Sequence, residues 1–194
     1  MRRLIIILIV HSSPDMGSMK DDLERESIAK IGKHRWDENK KRIENFWNEV
    51  EKEIDLLGLD YIDVRLYQDG MPCGGVQGER IVREVAAKGS RNYQIVKTLI
   101  EKGATLEATE NPEMLIKEYE CIKRIIEAKT EEERTEAKLL YDKIKDRLIE
   151  DRDTFIATAI DSTLKDGETG LLFIGAAHDV ASKLPDHIEV KRLD

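Results

Sequence analysis

Two of the four histidines in the chain close its most apolar runs: "LIIILIVHSS" stops on His11 and "LLFIGAAHDV" stops on His178. An imidazole titrates near neutral pH, and its nitrogens carry protons or bind metals. A continuous apolar run reads as a parallel strand covered on both faces. Open parallel sheets bind ligands beyond the carboxyl ends of their strands, which is where both rings are expected. Neighbouring strands lie about 4.8 Å apart, so two such strands side by side put His11 and His178 in one crevice. There they divide acid and base roles, or hold one divalent metal ion between them. The competing reading is a pair of hydrogen-bonded structural histidines. His34 and His187 lack this setting and are expected on the surface or in loops.

Other residues fall near the same edge. Asp69 lies just beyond a second strand in "YIDVRLYQDG", and Glu110 just beyond a third in "LEATENPE". Either carboxylate can orient a histidine, bind a metal or act as general base. Each also has a plain structural role: Asp69-Gly70 is a turn signal, and Glu110 precedes a helix cap. Ser12 and Asp15 follow His11 and offer hydrogen bonds, Asp15 alternatively as a helix N-cap. Gly175, before His178, allows close approach of backbone or ligand. In "EDRDTF", Arg152 and Asp153 are expected to open the last long helix, where Arg152 meets an anionic or carbonyl oxygen. A helix running straight through that point instead makes Arg152 a solvated charge.

The elements that must position these groups are legible. Strands are expected at residues 4–11, 61–67, 105–109, 171–177 and 188–193. Between them, Ile43, Trp47, Val50, Ile54 and Leu57 repeat with helical spacing and Gly58 follows as a stop. A second helix carries Ile81, Val82 and Val85, and a third starts from Ser90 and ends at Gly103. Asn111 and Pro112 form a cap and first helical position, and "TEEE" at residues 130–133 is a capping box. Strands alternating with helices predict a single α/β domain over residues 1–194, with a mostly parallel sheet of about five strands flanked by helices. A long charged helical segment, about residues 112–165, precedes the strand that ends in His178. It reads as a solvated insertion, or as an arm for homo-oligomer formation. "CGGVQG" around Cys73 reads as a mobile glycine-rich lid.

A net charge of -8 argues against nucleic acid as partner, because that affinity comes mainly from Lys and Arg on phosphates. Two cysteines without a CxxC exclude a disulfide scaffold and point to a reducing, cytoplasmic setting. Arg2 and Arg3 before an apolar run imitate a signal peptide, but the run is too short to span a bilayer and fits a first core strand, so no membrane association is expected. Charged residues at 37% resemble a thermophile surface.

"FIGAAH", ending in His178, resembles the second Gly-x-x-His motif of the TraB/Tiki and erythromycin-esterase-like superfamily. "RDTFIATAIDSTL" resembles the Arg-Asp helix that leads into it, and His11 stands at the position of the family's first histidine, with Leu8 in place of the first motif's glycine. The resemblance implies His11 and His178 as site histidines, Arg152 as a supporting residue, and a metal-dependent peptidase or an esterase activity. The family's site glutamate near the second strand has no clear match; Asp69 and Glu110 are the candidates. The expected function is thus hydrolysis of a carbonyl substrate, a small-molecule ester or a peptide, with or without a divalent metal ion. The alternatives are a non-enzymatic small-anion or metal-binding protein on the same scaffold, and an assembly protein using its charged helices.

Overall fold

Isoleucine, leucine and valine dominate the first strand, and their stiff side chains suit a sheet covered on both sides. In a computed structural model describing residues 1–10, 15 and 20–193, that strand, β1 (Arg2–Ile9), lies inside a five-stranded parallel sheet. The other strands are β2 (Val64–Gln68), β3 (Thr105–Leu106), β4 (Thr169–Gly175) and β5 (Ile188–Arg192), in spatial order β3-β2-β4-β1-β5. β1 pairs with β4 along its length, Ile5 opposite Leu171 and Ile9 opposite Gly175. The two strands that carry the apolar runs are therefore neighbours.

Alternation along each strand feeds two cores. Ile5, Ile7, Leu66, Leu171 and Phe173 pack with Trp47, Val50, Val82, Ile95 and Leu99, from helices α2 (Lys33–Leu56), α3 (Gly75–Ala87) and α4 (Arg91–Glu101). Leu4, Ile6, Leu172 and Ile174 pack on the other face with Ile156, Ile160 and Leu164, from helix α7 (Lys145–Thr163) and the residue after it. The result is helix, sheet, helix in three layers. β4 sits between β2 and β1, which are followed by helices on the first face, while the chain leaves β4 through Val180 on the second. Divergence of neighbouring strands opens a crevice at their carboxyl ends.

The remaining helices are α1 (Lys20–Ile31), α5 (Pro112–Glu127) and α6 (Glu131–Asp142). Asn111 caps α5 with Pro112 in its first turn, and Thr130 and Glu133 form the reciprocal capping box that starts α6. Neither α5 nor α6 has a fully buried residue, as a charged insertion requires. α7 is different: it is a layer of the fold. Among the described residues, no helix is long and apolar enough to cross a membrane. Arg2 donates to the Asp161 carbonyl at 2.7 Å and ties β1 to α7.

Several boundaries differ from the sequence reading: β1 and β4 each start and end two residues earlier than expected, and β5 ends one residue earlier. Tyr61–Asp63 is a 3-10 turn, because Asp60 accepts the Ile62 N–H and caps it. β3 is only two residues long. The glycines of "CGGVQG" start α3: a Cβ on Gly74 would lie 2.7 Å from the Leu106 carbonyl, and one on Gly78 2.3 Å from the Cys73 carbonyl. They permit close backbone packing on β3, in place of the expected lid.

At the amino ends of the strands, Arg65 grips Glu168 with two hydrogen bonds, at 2.8 and 2.9 Å, and also bonds Glu107. Burial raises the Glu168 pKa, but hydrogen bonds from Arg65 and the Lys165 N–H outweigh it, and the carboxyl sits below its ordinary value. Glu168→Gln is expected to cost about 1 kcal/mol at neutral pH, or about 2–4 °C in Tm. A depressed acid stabilises the fold above its unfolded value near 4.5 and ceases to do so as pH falls through the folded value. Thermal melts at pH 7 and pH 3 should therefore show a difference between wild type and variant at pH 7 that shrinks at pH 3.

Candidate functional site

The apolar face of α7 runs through Leu148, Ile156, Ala157 and Ile160, and two charged residues interrupt it, Arg152 and Asp153. Both are buried. The helix is continuous through them, so the expected helix start at Arg152 is absent and no helix terminus assists it. Nor is Arg152 solvated: its side chain is 6% exposed and makes four hydrogen bonds, all to carboxylates. Nε reaches Glu110 Oε2 at 3.1 Å and Nη2 reaches Glu110 Oε1 at 2.5 Å. Nη2 also bonds Asp69 Oδ1 at 2.8 Å, and Nη1 bonds Glu118 Oε2 at 2.5 Å. A guanidinium has five N–H groups, so one remains.

Asp69 and Glu110 hold their positions for reasons already visible locally. Gln68 to Met71 form a tight turn with Gly70 at φ 74°, and the Met71 N–H bonds the Gln68 carbonyl. That turn lifts Asp69 over the end of β4, where its Oδ2 accepts the Gly175 N–H at 3.1 Å. The Met71 carbonyl in turn takes the Glu110 N–H at 3.0 Å and draws Glu110 inward, just before Asn111 caps α5. The turn and cap roles coexist with the site role for both residues. Burial pushes the Glu110 carboxyl up; Arg152 pulls it down, Asp69 adds like charge, and the net direction is up. Burial alone would lower Arg152, but Glu110, Asp69 and Glu118 raise it above its ordinary value. Three carboxylates thus face one permanent cation.

Asp153 turns to the next group. Its Oδ1 lies 2.5 Å from His178 Nδ1, and its Oδ2 accepts the Asp179 N–H at 2.8 Å. His178 is not at the strand end itself but in the turn after β4, where its N–H bonds the Gly175 carbonyl. With Nδ1 committed to Asp153, Nε2 faces the Asp69 side, 3.9 Å from Oδ2. Ligand atoms of Asp69, Glu110 and His178 lie within 4.8 Å of one another.

A cavity of about 700 Å³ opens at this edge, lined by His178, Arg152, Asp69 and Gly175 from the sheet side. Leu115, Glu118, Tyr119 and Ile122 of α5 and Tyr141 of α6 form the opposing wall. Those α5 residues share one helix face by their spacing of three and four. The Tyr141 hydroxyl donates to Glu118 at 2.8 Å; burial and that carboxylate push the phenol up to about 12, so it stays a donor. Asp15, Asn92 and Tyr93 also line the cavity, and Ser90 donates to Asp15. Tyr93 is raised by burial and by the charges of Asp15 and Asp69.

The structure thus brings together Asp69, Glu110, Arg152, Asp153, Gly175 and His178, with Asp15 on the same cavity. His11 and Ser12 lie outside the described residues. His34 and His187 are exposed, as expected, with side chains 87% and 57% accessible. Sequence reasoning missed Glu118, Tyr141, Gln68 and Asn92. The signal for Glu118 was its place in the Leu115–Ile122 stripe, an acid on an otherwise apolar face; Asn92 likewise precedes Ile95, Val96 and Leu99 on the buried side of α4. No protein-family model matches the chain, and neither a curated protein nor a solved structure matches it.

Proposed function

We propose that the chain is a hydrolase acting on an ester or amide carbonyl, with His178 as general base. The observation that carries this is the buried Asp153–His178 pair, whose histidine lines the cavity. Asp153 accepts from Nδ1 and fixes that tautomer, which leaves the Nε2 lone pair toward the cavity. In the proposed step, a water oxygen attacks the carbonyl carbon while its proton passes to Nε2. The developing oxyanion draws on the remaining N–H and the charge of Arg152. Collapse breaks the bond to the alkoxide or amine, which takes the proton back from Nε2. Asp153 keeps the imidazolium oriented and charge-balanced throughout. The resemblance of "FIGAAH" to the Gly-x-x-His motif supports the same reaction class. A panel of 4-nitrophenyl esters and aminoacyl 4-nitroanilides tests the reading: turnover is expected in the wild type and not in His178→Ala.

A second reading has one specific observation behind it. Two ligands about 2.1 Å from a common ion lie roughly 3.4–4 Å apart, and His178 Nε2 and Asp69 Oδ2 are 3.9 Å apart. With Glu110 they would hold a divalent ion, which would polarise the carbonyl. Against this, Arg152 already bridges both carboxylates, and a divalent ion would sit beside a guanidinium. The metal-free step is accordingly the leading one. Dialysis against a chelator should leave turnover unchanged, and zinc or manganese titrated into the protein should bind below one equivalent by elemental analysis. Stoichiometric metal, lost in His178→Ala, would favour the second reading.

A further inference from the structure

The cavity wall includes two buried amide side chains. Gln68, at the end of β2, and Asn92, in the first turn of α4, both line it and are 1% and 2% exposed. Among the described residues, Gln68 Oε1 and Asn92 Oδ1 have no hydrogen-bond partner. The Gln68 amide is oriented by Nε2, which donates to the Asp69 carbonyl at 3.3 Å, so the atom left over is the oxygen. Buried acceptors without a donor are rare in folded proteins, and each calls for a partner. The same cavity is lined by the carboxylates of Asp15, Asp69 and Glu118, against the single guanidinium of Arg152. All four hydrogen bonds of that guanidinium go to carboxylates. Much of the remaining wall is apolar, including Leu115, Ile122 and Ile149.

Unfilled acceptors within an anionic lining ask for a group that only donates and carries positive charge. A primary ammonium has three N–H donors and no acceptor. A carboxylate or phosphate gives these oxygens nothing and adds to the negative charge. A hydroxyl satisfies an acceptor without answering the charge. We infer that the cavity recognises a substrate with a protonated amino group joined to an apolar body, the ammonium seated on the Gln68 and Asn92 carbonyl oxygens. This rests on the hydrolase reading only in placing the substrate's carbonyl at His178; the amine subsite stands on its own atoms.

The test uses three probes with one apolar body: 3-phenylpropylammonium, 3-phenylpropanol and 3-phenylpropanoate, titrated calorimetrically into the full chain at neutral pH. The ammonium is expected to bind about tenfold or more tightly than the alcohol, with no saturable binding of the carboxylate. Asn92→Leu and Gln68→Met keep size and remove one acceptor each; each should weaken the ammonium by about tenfold without loss of folding. Binding of the carboxylate as tightly as the ammonium, no binding of any probe, or unchanged ammonium binding in both variants would overturn the inference. The wild-type comparison needs no variant to fold. Ammonium selectivity in a protein that hydrolyses no ester or amide would sink the hydrolase reading alone. Hydrolysis without any preference for amino-bearing probes or substrates would sink the amine subsite alone.

Discussion

His178→Ala is expected to lower kcat/KM for the best ester or anilide substrate by about a thousandfold, the usual contribution of a positioned general base. Asp153→Asn is expected to lose a similar factor, because an amide can donate to Nδ1 and turn the ring's proton toward the cavity. The informative variant is the double one. Residues that act as a unit are non-additive in their losses, so Asp153→Asn with His178→Ala should be no slower than His178→Ala alone. Folding needs a separate readout: His178→Ala leaves the buried Asp153 carboxylate with the Asp179 N–H, at 2.8 Å, as its remaining hydrogen-bond donor, and a loss of about 1–3 kcal/mol is expected. Circular dichroism and Tm thus separate a chemical defect from a structural one. Losses that multiply in the double variant, or a His178→Ala enzyme with most of its activity, would remove the dyad from the mechanism.

The largest stability effect is expected at Arg152. Arg152→Met strands Glu110, Asp69 and Glu118 around an apolar side chain. Breaking a buried ion pair from one side costs about 3–5 kcal/mol, which for a chain of this size is roughly 10 °C in Tm. Arg152→Lys should recover little, since an ammonium lacks the planar fork that reaches three carboxylates at once. Adding Glu110→Gln to Arg152→Met should recover part of the loss by removing one of the stranded charges. The pH dependence follows from Glu110, already raised by burial and held down chiefly by Arg152, with a smaller pull from His178. A carboxyl raised in the folded state favours folding below its unfolded value and loses that as pH rises through the folded value. Arg152→Met should therefore be closest to wild type in acid and fall away toward neutral pH. A variant within about 1 kcal/mol of wild type at pH 7, by urea melts, would show that the carboxylates do not depend on the arginine.

The sheet was readable because covered strands leave little choice of residue: "LIII" and "LLFI" are buried throughout, although Leu8 and Val10 at the carboxyl end of the first run are exposed. β3 was over-read because the polar stretch after Leu106 carries strand-like spacing, yet only two residues pair with β2. Asp69, Glu110 and His178 could be placed at the carboxyl edge from their position after apolar runs. The meeting of Asp69 and Glu110 with Arg152 could not, since it depends on how α7 packs against the sheet, which no local pattern encodes. Arg152 itself was identified through the wrong geometry: a helix start was expected, whereas two charges inside an apolar stripe are what bury it. Gln68 and Asn92 are silent in sequence, because an unsatisfied acceptor is a property of what surrounds it.

Glu118 and Tyr141 belong to the charged insertion, while Arg152 and His178 belong to the layers around the sheet. The insertion therefore holds one of the arginine's three carboxylate partners and the tyrosine that orients it. In inheritance terms, the arm and the arginine are linked traits. A descendant chain can lengthen or redecorate the outer ends of α5 and α6 freely. It cannot shed them without leaving its cation short of a partner and its cavity short of a wall.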